Sequence, residues 1–364
     1  GLYTVIGREV DEAFMDAVYK TVREPELLRE KGSQIRIVYT PLHGAGIMIV
    51  PELLKRAGIT DIHIVKEQEK PDGDFPTVEY PNPEVKEALK LAKELAEKVD
   101  ADIVIGTDPD SDRMGIMVKD NEGNFQSLSG NMTGSILCEY ELGRAAAHGQ
   151  LSEDCFVVRS IVSSKMADMI AAGYGASVRE VLTGFKWIGR EILKSETTGE
   201  GTFLFGFEES CGYLSGDYAR DKDACGAALS ISEACAYYKS IGMSIWDVSR
   251  DMFRRYGFVK EETISITREG QEGLKEIAGI MEKLRKDPFR QIAGYPVISY
   301  RDFKDTKSTG FPPTNALYYT LENGWVCVRP SGTEPKIKYY IGVRRDTDDQ
   351  AAAMVQQIRD FLLA

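Results

Sequence analysis

The stretch Ala101-Asp102-Ile103-Val104-Ile105-Gly106-Thr107-Asp108-Pro109-Asp110-Ser111-Asp112-Arg113 decides both the fold class and the chemistry. Its first half is a short apolar run rich in β-branched residues, the pattern of a buried strand. Its second half sets Asp108, Asp110 and Asp112 at i, i+2 and i+4, so that in an extended loop the carboxylates converge on one hard cation. An EF-hand is excluded, because the sixth loop position is Arg113 rather than Gly and the twelfth is Lys119 rather than Glu. Oxygen ligands, few in number and with positions left open, suit Mg²⁺ working beside a phosphoryl group. The bland alternative is a solvated acidic turn. Placement at a strand's C-terminal end, where α/β folds bind ligands, favours the site.

Working outward, residues 9–150 alternate helical and strand patterns, with strands expected at 35–39, 62–65, 103–105 and 115–118 and helices near 9–30, 46–57, 84–98 and 131–147. The proline-rich run 69–83, with Asp72-Gly73-Asp74 inside it, predicts a long irregular loop. A second alternation follows, with strands at 156–159, 177–181 and 202–205 and helices near 163–172, 185–195, 221–240 and 243–255. From 263 onward the order becomes strand, helix (271–285), consecutive strands (297–300, 316–321, 325–328, 337–343) and a last helix at 348–363. The expected fold is therefore α/β: two similar α/β domains with mixed sheets, at 1–150 and 151–258, followed by a smaller antiparallel α+β domain at 259–364.

Composition agrees with a multidomain globular chain. Its 364 residues are too many for one core, and 43% hydrophobic with 28% charged residues can fill two or three. With 45 Lys and Arg against 57 Asp and Glu, the net charge of −12 gives no electrostatic support for binding nucleic acid or an anionic membrane. No apolar run approaches the ~20 residues of a membrane span, and the start Gly1-Leu2-Tyr3-Thr4 has no signal-peptide pattern, so a cytoplasmic protein is expected. A first residue other than Met suggests a piece of something longer. The six cysteines form no C-x-x-C pair and read as buried thiols.

Two further segments carry chemistry. In Arg329-Pro330-Ser331-Gly332-Thr333-Glu334-Pro335-Lys336, between two apolar strands, Arg329 offers a planar fork of donors and Ser331 and Thr333 offer hydroxyls. Gly332 lets backbone N–H groups turn toward an anion, so the segment reads as a phosphate cradle, or else as a plain turn. In Phe205-Gly206-Phe207-Glu208-Glu209-Ser210-Cys211-Gly212-Tyr213, acidic groups and a hydroxyl between glycines can accept from sugar hydroxyls, or can form a polar turn. Thr183-Gly184-Phe185-Lys186 and Arg220-Asp221-Lys222-Asp223 each open an expected helix, where cations and N–H groups favour anions. Lys186, Arg220, Lys222, Arg329 and Lys336 are expected to gather at a cleft while the acidic excess covers the outside.

Residues 107–113, 206–212 and 329–336 resemble, in order, three signature loops of the α-D-phosphohexomutases. Thr40-Pro41-Leu42-His43-Gly44, Pro71-Asp72-Gly73-Asp74-Phe75-Pro76-Thr77 and Thr183-Gly184-Phe185-Lys186 resemble the bacterial phosphoglucomutase/phosphomannomutase branch. The resemblance implies Mg²⁺ on Asp108, Asp110 and Asp112, with Arg113 beside the reacting phosphoryl group. It also implies Glu208 and Ser210 on sugar hydroxyls, and Arg329, Ser331, Gly332 and Thr333 on the phosphate that does not react. The implied ligands are hexose phosphates: glucose 1-phosphate, glucose 6-phosphate and mannose phosphates. Lys186 or a nearby carboxylate is a candidate for proton transfer, and Arg220, Lys222 and Lys336 are possible phosphate contacts. The small last domain is expected to pivot at a hinge near 257–262.

Family members carry a phosphoserine loop in a first domain, whereas here the histidines follow Leu42, Ile62 and Ala147, so no Ser-His dipeptide exists. The resemblance thus implies domains two to four, with the missing N-terminal domain of the same protein as a partner and this chain alone inactive. The rival readings are a non-catalytic sugar-phosphate-binding protein and a Mg²⁺-dependent phosphatase.

Overall fold

The computed structural model describes residues 2–331 and 335–364. They form two compact units, divided between Asp251 and Met252. The first unit opens with α1 (Arg8–Tyr19) and α2 (Pro25–Lys31), where the sequence pattern suggested one helix. Pro25 explains the break: it cannot continue a helix but suits the first turn of a new one. Then come β1 (Arg36–Thr40), α3 (Val50–Arg56), β2 (Asp61–Ile64), α4 (Lys90–Val99), β3 (Ile103–Thr107), β4 (Met114–Lys119), β5 (Phe125–Leu128) and α5 (Gly130–Ala147). The sheet order is β2-β1-β3-β4-β5; β2, β1 and β3 run parallel, while β4 and β5 return antiparallel. Apolar residues of β1, β3 and β4 pack with Leu89, Ala92 and Ala96 of the α4 region into one core. Between β2 and α4, residues 69–83 form no helix or strand, as the prolines predict.

The second half repeats the plan with β6 (Cys155–Ser160), α6 (Met166–Tyr174), β7 (Ser177–Val181), α7 (Lys186–Thr198), β8 (Thr202–Glu208), β9 (Gly212–Ser215) and α8 (Ala224–Ser240), and α9 (Ile245–Tyr256) then carries the chain across the division between the units. Its sheet order is β7-β6-β8-β9, with β7, β6 and β8 parallel and β9 antiparallel. The helices α5 and α8 are buried along nearly their whole length, the mark of helices enclosed between layers rather than laid on a surface. α5 packs on β4 and on β8, and α8 packs on β3, β4 and β9, so the two helices join both sheets.

The second unit contains β10 (Phe258–Thr267), α10 (Gly270–Lys286), β11 (Gln291–Ile292), β12 (Tyr295–Asp302), α11 (Thr306–Thr309), β13 (Leu317–Leu321), β14 (Gly324–Pro330), β15 (Lys336–Arg345) and α12 (Asp348–Leu363). Its antiparallel sheet, in the order β10-β15-β14-β13-β12-β11, encloses with α10 and α12 a core that includes Ile277, Met281, Val326, Ile341 and Ile358. Residues 258–262, within the segment expected as a hinge, form the first half of β10, paired one to one with 341–345 of β15. Gly257, just before this ladder, takes a left-handed backbone at φ +90°.

In both halves of the first unit, the third parallel strand turns into an antiparallel neighbour through a short connection. These connections are residues 108–113 and 209–211. The third candidate segment is likewise the connection of an antiparallel pair, β14 and β15.

Candidate functional site

The aspartate loop is built by hydrogen bonds before any ligand enters. Asp108 is buried at the end of β3. Its Oδ1 accepts the backbone N–H groups of Asp112 (3.0 Å) and Arg113 (2.9 Å), and its Oδ2 accepts Nε of Arg113 at 2.9 Å. Ser111 takes a left-handed turn at φ +58°, which folds the carboxylates back toward one another. One oxygen from each of Asp108, Asp110 and Asp112 lies within 4.8 Å of the others, with Asp108 buried and Asp110 exposed. Burial pushes the Asp108 carboxyl up to about 6, with Asp112 and Asp110 adding to the rise and Arg113 opposing it.

Asp112 is the informative member. Its Oδ2 accepts from the Lys222 ammonium at 2.7 Å, while its Oδ1 is buried with no hydrogen-bond partner among the described residues, 3.5 Å from Nε of Arg113. A buried carboxylate oxygen without a donor is costly unless something else satisfies it. Burial works against the charge on Lys222, but its bond and attraction to Asp112, aided by Asp221 and Glu208, prevail and raise its pKa. Arg113 behaves alike: Asp108, Asp112 and Glu84 outweigh its burial and raise its pKa. The orphaned oxygen, the all-oxygen donor set and the close spacing fit a small divalent cation such as Mg²⁺.

The Glu208–Gly212 turn lies directly against this loop. Arg113 and Gly212 form an isolated antiparallel bridge, and Met114 N–H donates to the carbonyl of Cys211 at 3.0 Å. A Cβ at 212 would lie 2.7 Å from Cδ of Lys222, so a larger residue there would displace the lysine side chain. Glu208 is buried, and its Oε1 accepts the N–H of Gly184 at 2.6 Å, which ties the 183–186 segment to the same turn. Ser210 is half-buried. Lys186 begins α7 and is exposed, its ammonium 5.5 Å from the Trp187 ring. Asp223 caps α8 by accepting from the N–H groups of Cys225 (2.8 Å) and Gly226 (3.0 Å), and so places Lys222 just before the helix.

Arg220 differs from expectation. Its guanidinium bonds Glu196 on α7 and the carbonyls of Asp217 and Ala219, so its donors are directed at its own half of the fold. In the second unit, Arg329 ends β14 opposite Lys338, and Ser331 N–H donates to the carbonyl of Lys336 at 2.8 Å. Gly332 and Thr333 lie outside the described residues. Gln68 and the structural role of His43 and Thr77, joined through the Thr77 hydroxyl, were not legible in the sequence. A single sequence offers no spacing signal for such a group.

Three family models match consecutive segments: phosphoglucomutase/phosphomannomutase alpha/beta/alpha domain II over residues 12–123, alpha/beta/alpha domain III over 129–256, and the C-terminal domain over 264–361. The chain belongs to the phosphoglucomutase/phosphomannomutase family. Within the family, a phosphoglucomutase of Staphylococcus epidermidis is 35% identical over 340 residues, covering 91% of this chain and 61% of the relative. The chain thus spans about three-fifths of the length of this relative. A putative phosphomannomutase of Thermus thermophilus superposes with a TM-score of 0.70 at 17% identity, covering all of this chain and 68% of the other. The N-acetylphosphoglucosamine mutase of Aspergillus fumigatus, solved with GlcNAc-6P and magnesium, superposes at 0.58 with 12% identity, covering 97% of this chain and 70% of the other. The likeness to these two solved structures is one of fold. Among the described residues no helix is long and apolar enough to cross a membrane.

Proposed function

We propose that this chain supplies the metal, sugar and phosphate sites of a phosphohexomutase that interconverts hexose 1-phosphate and hexose 6-phosphate, of glucose, mannose or both, through a bisphosphate intermediate. The observation that carries the reading is the contact of the aspartate trio, Lys222 and the Glu208–Gly212 turn within one unit, with a buried Asp112 oxygen left without a donor. The domain division that accompanies it is 1–150, 151–258 and 259–364.

In this reading Asp108, Asp110 and Asp112 hold Mg²⁺, which when bound offsets charge on a transferring phosphoryl group. Arg113, fixed by Asp108, presents its remaining donors to the same group. Glu208 and Ser210 orient the sugar through its hydroxyls. Arg329, Ser331, Gly332 and Thr333 grip the other phosphate, with Lys336 beside them. Lys222 is a preformed cation on the metal side, while the bonds of Arg220 to Glu196 and its own loop make it the weakest of the proposed contacts. Lys186, whose segment is anchored to Glu208 through Gly184, is a candidate to exchange a proton with the attacking hydroxyl. The phosphoryl group itself comes from a serine outside these residues, so the chain alone binds without turnover.

The test is to incubate the chain with Mg²⁺ and to measure binding of glucose 1,6-bisphosphate alongside conversion of glucose 1-phosphate. Metal-dependent binding without conversion, with turnover once the phosphoserine domain is supplied, is the expected result. No binding of any hexose phosphate overturns the reading. Binding without turnover even when that domain is present supports a sugar-phosphate-binding protein, and release of inorganic phosphate by the chain alone supports a phosphatase.

A further inference from the structure

A chain of hydrogen bonds, buried at Thr40 and Gln68 and reaching the exposed Thr77, has directions fixed by its ends. Nδ1 of His43 faces the carbonyl of Lys70 at 3.2 Å, and a carbonyl only accepts, so Nδ1 carries the proton. Nε2 is then an acceptor and takes the Thr77 hydroxyl at 2.9 Å. The Thr77 oxygen receives the Gln68 amide at 3.1 Å, Gln68 Oε1 receives the Thr40 hydroxyl at 2.6 Å, and Thr40 Oγ1 receives Leu42 N–H at 3.1 Å. Thr40 and Gln68 are fully buried and His43 nearly so, whereas Lys70 and Thr77 belong to an exposed stretch without helix or strand. The backbone of His43 adds two bonds to the same region, His43 N–H to Gln68 O and Asp72 N–H to His43 O, each 3.0 Å.

On its other side this segment meets the metal loop. Leu42 and His43 both have left-handed backbones, at φ +46° and +61°, a conformation that side-chain-bearing residues avoid unless their surroundings impose it. The result is that Gly44 lies flat against Pro109, where a Cβ would come within 2.3 Å of Cα, and Ala45 N–H donates to Pro109 O at 2.8 Å. Pro109 stands between Asp108 and Asp110.

We propose that His43 is a positioning residue that joins the exposed 70–77 loop to the metal loop, so that Mg²⁺ affinity depends on the His43–Thr77 bond although neither residue is a ligand. This inference rests on the metal reading above. The imidazole holds the strained turn from one side, the turn holds Pro109 from the other, and the aspartates on either side of Pro109 keep the spacing a small cation needs.

The test is Mg²⁺ titration calorimetry on the whole chain, with a thermal melt of each variant. Thr77→Val keeps the shape and loses the hydroxyl on an exposed loop, so it leaves the melt within a degree or two while weakening Mg²⁺ by about fivefold, the worth of one hydrogen bond. His43→Asn, which tolerates the left-handed backbone but cannot reach Thr77, weakens it by about tenfold or more. Thr77→Ser restores parental affinity to within about twofold. Unchanged affinity in Thr77→Val, or failure of Thr77→Ser to differ from it, overturns the inference even if His43→Asn fails to fold. Asp110→Ala is the control that separates the two claims. If it abolishes binding while the His43 and Thr77 variants do not weaken it, only the positioning role falls. If Asp110→Ala leaves binding intact, the metal reading falls and takes this inference with it.

Discussion

Replacing Lys222 with Met removes the ammonium that lies 2.7 Å from Asp112 Oδ2 and keeps most of the aliphatic stem. The pair is neither exposed nor deeply buried: 21% of the lysine side chain and 30% of the aspartate side chain remain accessible. Exposed pairs contribute at most about 1 kcal/mol, and breaking a fully buried pair costs about 3–5 kcal/mol, so about 1–2 kcal/mol is the expected loss here. In a unit of this size that lowers Tm by roughly 2–8 °C. The lost cation is also the one that a metal ion must coexist with. Without it Arg113, 3.5 Å from Oδ1, is the remaining cation paired with Asp112 among the described residues, the trio is more negative by one charge, and Mg²⁺ binds more tightly by about three- to tenfold. The variant is therefore less stable without metal and gains more from it. Differential scanning calorimetry with and without saturating Mg²⁺, together with a titration, reads both effects. A variant that loses Mg²⁺ affinity, or whose Tm gains no more from Mg²⁺ than the parent's does, refutes the electrostatic linkage between Lys222 and the trio.

Other outcomes follow from the same geometry. Gly44→Ala places a methyl 2.3 Å from Pro109 Cα, a backbone atom that cannot step aside, so it destabilises the first unit by about 2 kcal/mol or more and weakens Mg²⁺ as well. A chemical melt and a titration check it, and parental values in both contradict the packing argument. Burial pushes the Glu233 carboxyl up to about 8, with Glu141 adding to the rise, although Glu24 N–H donates to it. Because the native state keeps this proton while the unfolded chain releases it near pH 4.5, the contribution of Glu233 to stability is complete below that pH. It is lost as pH rises toward 8. Glu233→Gln is therefore neutral near pH 4 and stabilising near pH 8.5; equal Tm differences at both values contradict the sign. Arg329→Ala removes a charged donor and weakens glucose 1-phosphate by about 2–3 kcal/mol in isothermal titration. Unchanged affinity removes Arg329 from the proposed phosphate grip.

What the sequence revealed, and what it concealed, divides by distance along the chain. The run from Ala101 to Arg113 was readable because strand and carboxylates are contiguous, and the alternation about it was readable because each helix carries its own period. Pro25 split the first helix within a span whose apolar spacing looked continuous. The strands Phe125–Leu128 and Gly212–Ser215 escaped notice because four residues with little β-branched character gain their structure from a hairpin partner, not from propensity. The site's charges were legible as residue types but not as pairs. Lys222 meets Asp112 across 110 positions, and Arg220, expected with the other cations, turns to Glu196 instead. His43 stood within a quoted motif, yet its partners Lys70 and Thr77 lie 27 and 34 residues away, so its role became visible only once the loops were folded together.

The measurement that bears most directly on the account is an anomalous difference map from crystals of this chain grown with Mn²⁺ as a substitute for Mg²⁺. The account predicts a single strong peak at about 2.0–2.3 Å from one oxygen each of Asp108, Asp110 and Asp112, with the Asp112 Oδ1 that now has no donor among its ligands. A map without a peak at the trio, or with Asp112 turned wholly to Lys222 and the ion held elsewhere, contradicts it.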